Sequence, residues 1–216
     1  MKAALVIAVR GGPEAKSRCA PVLGPASRQA LVAAMLEDML KAAAATVGLG
    51  PVFVATPTAE LAERAERRGA LALVEEPPFG LNAAFAAGLR RARTETDGPV
   101  LLLPGDLPLV GPAELEMAAR AVSGGSLLLA PSLADGGTGA VGLPAGTQIP
   151  LMFGFDSFRR HLAAARALAT PLQLIEGGAL GLDIDRPEDL GQILLSPATH
   201  SAAVLRAAQA PLRRSA

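Results

Sequence analysis

The chain has 216 residues, with 20 basic and 20 acidic side chains giving a formal net charge of zero, and half of its residues are apolar. A neutral chain lacks the basic field that broad nucleic-acid binding needs; with no Trp or Tyr and only six Phe it also has few platforms for stacking single strands. No run of about 18 uncharged apolar residues is present to span a membrane, and the single cysteine, Cys19, excludes a disulfide framework or thiolate cluster and fits a reducing cytoplasm.

The apolar opening stops by Arg10, too early for a signal-peptide core and cleavage site, so Ala3–Val9 is read as a first strand. Helical periodicity follows over Arg28–Ala45, with Leu31, Met35, Leu36, Met39 and Leu40 on one stripe. Strand and helix then alternate: Pro51–Ala55 strand, Ala59–Arg68 helix, Ala70–Val74 strand, Asn82–Arg93 helix. Pro99–Leu103 reads as a buried strand, Pro112–Val122 as a helix and Ser126–Ala130 as a strand. Past Ala130 the pattern breaks into Gly-rich loops and resumes with helix Ser157–Leu168, strand Pro171–Ile175 and a helix from Pro187. Such alternation predicts right-handed βαβ crossovers, hence a mostly parallel central sheet with helices on both faces. Without a repeat or linker, the expectation is one α/β domain over residues 1–195. Residues 196–216, after a Ser-Pro break, are expected to form a peripheral C-terminal tail, a helix frayed at its basic end.

Three segments carry candidate chemistry. Asp183 and Asp185 flank Ile184, so in extended backbone both acids share one face. Pro187, Glu188 and Asp189 suit the helix start that follows. Two adjacent carboxylates fit a Mg²⁺ that also holds substrate phosphates, the bland alternative being a solvated acidic turn. Asp106 follows the Pro99–Leu103 strand, at the edge where open α/β sheets bind ligands; together with Asp183 and Asp185 it can complete a three-carboxylate site. The first strand runs into Arg10, Gly11 and Gly12 and on to Lys16 and Arg18, a glycine-bearing loop able to approach phosphates, with cations for a triphosphate. It is neither a Walker A sequence nor a dinucleotide fingerprint, and a solvated basic loop is the alternative.

The segment Glu75–Asn82 joins a strand to a helix, where Asn82 either reads a base edge or caps the helix. Gly136–Gly139 and Phe153–Ser157 frame a second pocket. Ser157 and His161, four residues apart, lie on one helix face and with Thr138 opposite could hold a small phosphorylated acid.

Taken in order, Ala15–Arg18 with Ala20–Leu23, Gly80–Asn82, Asp106–Pro108, Asp135–Gly139, Phe153–Phe158 with His161, and Asp183–Leu190 resemble the 2-phospho-L-lactate guanylyltransferase family of coenzyme F-420 biosynthesis, also called phosphoenolpyruvate guanylyltransferase. The likeness spans roughly residues 3 to 192. It implies a single-domain, Rossmann-like nucleotidyltransferase of the GT-A type. It implies transfer of GMP from GTP to the phosphate of phosphoenolpyruvate or 2-phospho-L-lactate, with release of pyrophosphate. By the same analogy Asp106, Asp183 and Asp185 hold Mg²⁺, and Lys16, Arg18 and Asp106 are catalytic. Arg10, Asn82, Thr138, Gly139, Gly154, Ser157 and His161 bind substrate. The partners implied are GTP and a small phospho-acid in the cytoplasm, with a homodimer as an allowed assembly and neither nucleic acid nor membrane involved.

Two departures stand out. The family usually has Lys where this chain has Arg10, which keeps the charge but changes the geometry. A polar pair usually follows Gly139, whereas Ala140 and Val141 follow here; on this reading the acceptor pocket is depleted of hydrogen-bonding groups, which favours phosphoenolpyruvate. The rivals are a molybdenum-cofactor-type nucleotidyltransferase, a GTP-binding module without catalysis and, third, a sugar-phosphate nucleotidyltransferase.

Overall fold

Six apolar residues in a row make β1 (Ala3–Ala8), and all are buried because the strand lies inside the sheet with neighbours on both edges. The computed structural model describes residues 1–75, 80–196 and 199–213, with side chains up to 208. The predicted segment 75–82 and the Ser-Pro break therefore fall partly, and the basic end from Arg214 wholly, outside the described residues.

β1 leads to α1 (Pro25–Ala44), β2 (Leu49–Thr56), α2 (Ala59–Arg67), β3 (Leu71–Val74), α3 (Leu81–Glu95), β4 (Val100–Pro104), α4 (Pro112–Ser123) and β5 (Leu127–Pro131). Then come β6 (Thr138–Leu143), α5 (Ser157–Arg166), β7 (Leu172–Leu174), α6 (Leu190–Leu194) and α7 (His200–Arg213). One seven-stranded sheet results, in the order β3-β2-β1-β4-β6-β5-β7. Pairing is parallel except that β6 runs against both β4 and β5.

Residues on the two faces of each strand feed two cores. Leu5 and Ile7 of β1 pack with Leu31, Met35 and Leu36 of α1, Leu115 of α4 and Leu205 of α7. Val6 and Ala8 face the other way, toward Phe85 of α3 and Ala165 of α5. This is the doubly covered α/β sheet the alternation predicts. Among the described residues no helix is long and apolar enough to cross a membrane.

The departures from expectation are local. α1 begins at Pro25 rather than Arg28, since proline suits the first turn of a helix. β6 occupies a stretch read above as glycine-rich loop. Its glycines are a packing requirement: a β-carbon on Gly139 would run into the Leu180 carbonyl, and one on Gly142 would meet Val122 and Leu128. Asp183 and Asp185 lie outside any strand or helix, while the helix expected from Pro187 starts as a 3₁₀ turn, Pro187–Asp189, before α6. The C-terminal helix α7 lies along α1, with Ser201, Ala202 and Leu205 buried. Buried Asp38 of α1 accepts from the amides of His200 (2.7 Å) and Ser201 (2.9 Å) and from the Ser201 hydroxyl (2.6 Å), supplying partners to free donors at the helix start.

Candidate active site

Strand order reverses its direction of travel between β1 and β4, and the carboxyl ends of these strands open a crevice where open α/β sheets bind ligands. β1 empties there into Arg10, β4 into Gly105 and Asp106, and β5 into Ser132. Because β6 is reversed, its amino end, Thr138 and Gly139, comes to the same edge. The resulting groove encloses about 630 Å³, ample for a nucleotide. Its walls include Arg10, Lys16, Arg18, Asp106, Asp183 and Asp185, with Thr138, Gly139 and Gly154.

The basic loop and the three acids do converge, but they pair with one another. The Lys16 ammonium, on a side chain only 8% exposed, lies 2.8 Å from Asp106 Oδ2 and 3.3 Å from Asp185 Oδ1. Arg18 donates to the other Asp185 oxygen. Burial alone would pull the Lys16 pKa down, but Asp106 and Asp185 outweigh it and push the value above the ordinary lysine range. Burial opposes ionisation of Asp185 too, yet Lys16 and Arg18 hold its pKa below the usual carboxylate range. Asp189 anchors the backbone, accepting from the amides of Asp185 at 2.9 Å and Arg186 at 2.7 Å. The Ile184 amide donates to the Asp106 carbonyl at 3.0 Å, joining the two acidic segments; Ile184 is buried while both acids face the groove.

Asp183 stands apart from Lys16. It accepts from Ser132 Oγ at 2.7 Å, and burial, aided by the nearby charges of Asp106 and Asp135, raises its pKa despite that bond. Asp106 Oδ1 is buried without a hydrogen-bond partner. With Lys16 between Asp106 and Asp185, no group of three or more His, Cys, Asp and Glu side chains among the described residues is arranged to hold a metal ion. The residues that do fit a divalent cation are Asp106 and Asp183: hard oxygen donors, mutually repelling, one with an oxygen lacking a partner.

Behind the wall formed by Thr138 lies a buried polar chain. Met152 N–H donates to His161 Nε2 at 2.9 Å, so Nε2 carries the lone pair and Nδ1 the proton. Nδ1–H donates to Thr138 Oγ1 at 2.8 Å, and the Thr138 and Ser157 hydroxyls share a hydrogen bond at 2.9 Å. Burial, helped by the Arg160 charge, lowers the His161 pKa to about 4, so the ring is neutral near pH 7.

Ser157 and His161 do share one helix face toward Thr138, as their spacing predicts. Both are fully buried, however, and bond to protein groups instead of lining the groove. Asn82 neither caps α3, whose N-cap is Gly80, nor lines the groove; its amide clamps the Phe153 backbone, accepting from N–H at 2.7 Å and donating to C=O at 3.0 Å. Phe153 stacks on Phe85 and meets His161 edge-on. Gly154, at φ 127°, forms part of the groove wall.

Ala140 and Val141 call for a correction. Both are fully buried inside β6, one in each core, so they are sheet residues and not pocket lining. The depleted-pocket argument loses its basis, and with it the preference for phosphoenolpyruvate and the case for a module without catalysis.

Ser132 and Arg160 are not among the sequence candidates, and Asp189 is read there only as part of a helix start; the Arg160 guanidinium donates to the carbonyls of Met152 and Phe155. Ser132 had a usable signal, since it directly follows a strand that ends at the ligand edge. Cys19 is buried and its thiol donates to the Asp185 carbonyl at 3.5 Å; burial pushes its pKa up, in keeping with a small packing residue.

Comparison with known proteins shows the family. A 3-phospho-D-glycerate guanylyltransferase of Phenylobacterium zucineum is 43% identical over 196 residues, 89% of each chain. A phosphoenolpyruvate guanylyltransferase of Sphaerobacter thermophilus is 35% identical over 87% of this chain and 90% of its own. Among solved structures, a putative nucleotide-diphospho-sugar transferase of Desulfovibrio desulfuricans shares the fold at a TM-score of 0.78 and 16% identity, covering 99% of this chain and 98% of that one. The family model described as "Guanylyl transferase CofC like" matches residues 3–211, nearly the whole chain, and the chain belongs to that family.

Proposed function

We propose that this guanylyltransferase transfers GMP from GTP to the phosphate of a three-carbon phospho-acid, releasing pyrophosphate, in coenzyme F-420 biosynthesis. One observation carries the reading: a buried lysine held between two aspartates at the switch point, beside a third aspartate and an unpartnered carboxylate oxygen. Such a cluster is stable without ligand yet rich in charge that a metal–triphosphate complex can take over.

In the reaction an acceptor phosphate oxygen bonds to the α-phosphorus of GTP while the bond from that phosphorus to the α–β bridging oxygen breaks. The acceptor phosphate is already anionic, so no protein nucleophile is required. Lys16, Arg18 and Arg10 neutralise the triphosphate and align it, which is most of what phosphoryl chemistry asks of a protein. Asp106 and Asp183 would hold Mg²⁺, which supplies charge neutralisation at the phosphates when bound. Thr138, Gly139 and Gly154 form the acceptor side of the groove, with Ser157 and His161 supporting Thr138 from behind.

Among acceptors, 3-phospho-D-glycerate ranks first, following the relative at 43% identity, ahead of phosphoenolpyruvate and 2-phospho-L-lactate. A pyrophosphate-release assay crossing the four nucleoside triphosphates with these three acids is the test. Turnover is expected with GTP and at least one acid; GTP binding without release of pyrophosphate for any acid would refute the reading.

A further inference from the structure

Arg28 lies in the first turn of α1 and is only 8% exposed. A cation there opposes the helix dipole, and a buried guanidinium ordinarily faces a carboxylate. Among the described residues none pairs with it: Nη1 donates to the Ala15 carbonyl at 3.0 Å, and Nε is buried without a partner. Packing alone gives no reason to keep so costly a group at this place.

The bond partner supplies one. The Ala15 carbonyl belongs to the peptide plane whose rotation about the Lys16 N–Cα bond defines φ of Lys16. That residue has φ 53° and ψ 36°, the left-handed region, which disfavours a side chain with a β-carbon. The loop's own turn bonds, Ala15 N to Gly12 O, Ser17 N to Glu14 O and Cys19 N to Lys16 O, do not hold that carbonyl. We propose that Arg28 is a positioning residue: by gripping the Ala15 carbonyl it locks Lys16 in its left-handed backbone and so sets the ammonium between Asp106 and Asp185. The inference rests on the reading of the groove as a triphosphate site only for its consequence in binding; the positioning itself can be measured without ligand.

Amine acetylation followed by mass spectrometry reads the position of Lys16 directly. The chain has three lysines, and Lys2 and Lys41 are exposed internal standards. In the ligand-free protein Lys16 should label several-fold more slowly than either. Arg28→Met should bring Lys16 to the rate of the standards. Arg28→Lys, which retains a donor and a charge, should protect it in part, and carries the labelling test with Arg28→Gln if the Met variant fails to fold. GTP titration of Arg28→Met, Lys16→Met and the double variant completes the test. Arg28→Met should raise the GTP Kd about tenfold alone but less than about twofold in the Lys16→Met background, because the two residues act as one unit. Unchanged protection of Lys16 in the Arg28 variants, or losses that add in the double variant, would overturn the proposal. A wild-type chain that does not bind GTP would instead refute the function proposed above, with the labelling result still deciding the role of Arg28.

Discussion

The Lys16 cluster lines the groove while the His161 chain lies behind Thr138, and the two handle buried polarity differently. In the first, Asp106 and Asp185 share two basic side chains, Asp106 keeps a buried oxygen without a partner, and Arg18 is 59% exposed. In the second, the groups of His161, Thr138 and Ser157 pass one hydrogen bond to the next, are neutral, and are almost wholly enclosed. A cluster with unmet electrostatic demand is suited to exchange partners when a ligand arrives. A satisfied chain in low dielectric is suited to hold a wall still. The comparison separates residues expected to change rate from residues expected to change stability.

The largest effect should come from the exchanging side. Asp106→Asn is expected to lower kcat by roughly 10²–10³-fold, as when a charge-stabilising group is lost from an active site, with little change in the melting temperature. Excess EDTA should abolish turnover and added Mg²⁺ restore it. An Asp106→Asn enzyme retaining half its rate would erase the distinction between the two sides.

On the satisfied side, pH is the probe. The folded pKa of His161 is about 4, against about 6.5 for an unfolded histidine. A depressed folded pKa means that the unfolded chain binds the proton more readily. The stabilisation is therefore complete above pH 6.5 and is lost as pH falls toward 4, amounting to roughly 3 kcal/mol over that window. Denaturant unfolding between pH 7.5 and 4 should show this loss in the wild type, and His161→Gln should remove that component of the pH dependence. Equal slopes in both proteins would mean that His161 does not titrate as its surroundings require.

Thr138→Val sharpens the comparison, because Thr138 touches both the groove and the buried chain. Leaving the His161 Nδ1–H and Ser157 hydroxyl without their partner should cost about 1–3 kcal/mol of stability. The acceptor KM should rise more than the GTP KM, and the reverse order in steady-state kinetics would move Thr138 to the nucleotide side. Arg18→Ala should have the smallest effect, about a 3–10-fold rise in GTP Kd by titration, since an exposed cation is screened by solvent. Unchanged affinity would reduce Arg18 to a surface partner of Asp185.

Much of this was legible in the residues. Alternating apolar runs gave the sheet, and Asp106 could be placed at the ligand edge because the β4 run is short and ends in Pro104 and Gly105. The placement of Ser157 and His161 on one helix face follows from helical spacing alone. Pairings made through space were not legible. Nothing local says that Lys16 reaches Asp106 and Asp185, or that Asn82 grips a backbone 71 residues away. β6 escaped notice because its glycines answer to the Leu180 carbonyl and the Val122 side chain, neighbours that are distant in sequence. Ala140 and Val141 were misread for the same reason: their apolar character reports the sheet interior, not the substrate.

The carboxylate clamp of Asp38 on α7 has a consequence for the order in which the protein is made. Asp38 is synthesised early, within the long helix α1, yet the amides it needs stand 162 and 163 residues further along the chain. Until they arrive, that carboxylate must stay hydrated, which opposes the final seating of α1 against the sheet. The seating of α1 and the docking of α7 are thereby coupled through one carboxylate, which each helix needs the other to satisfy.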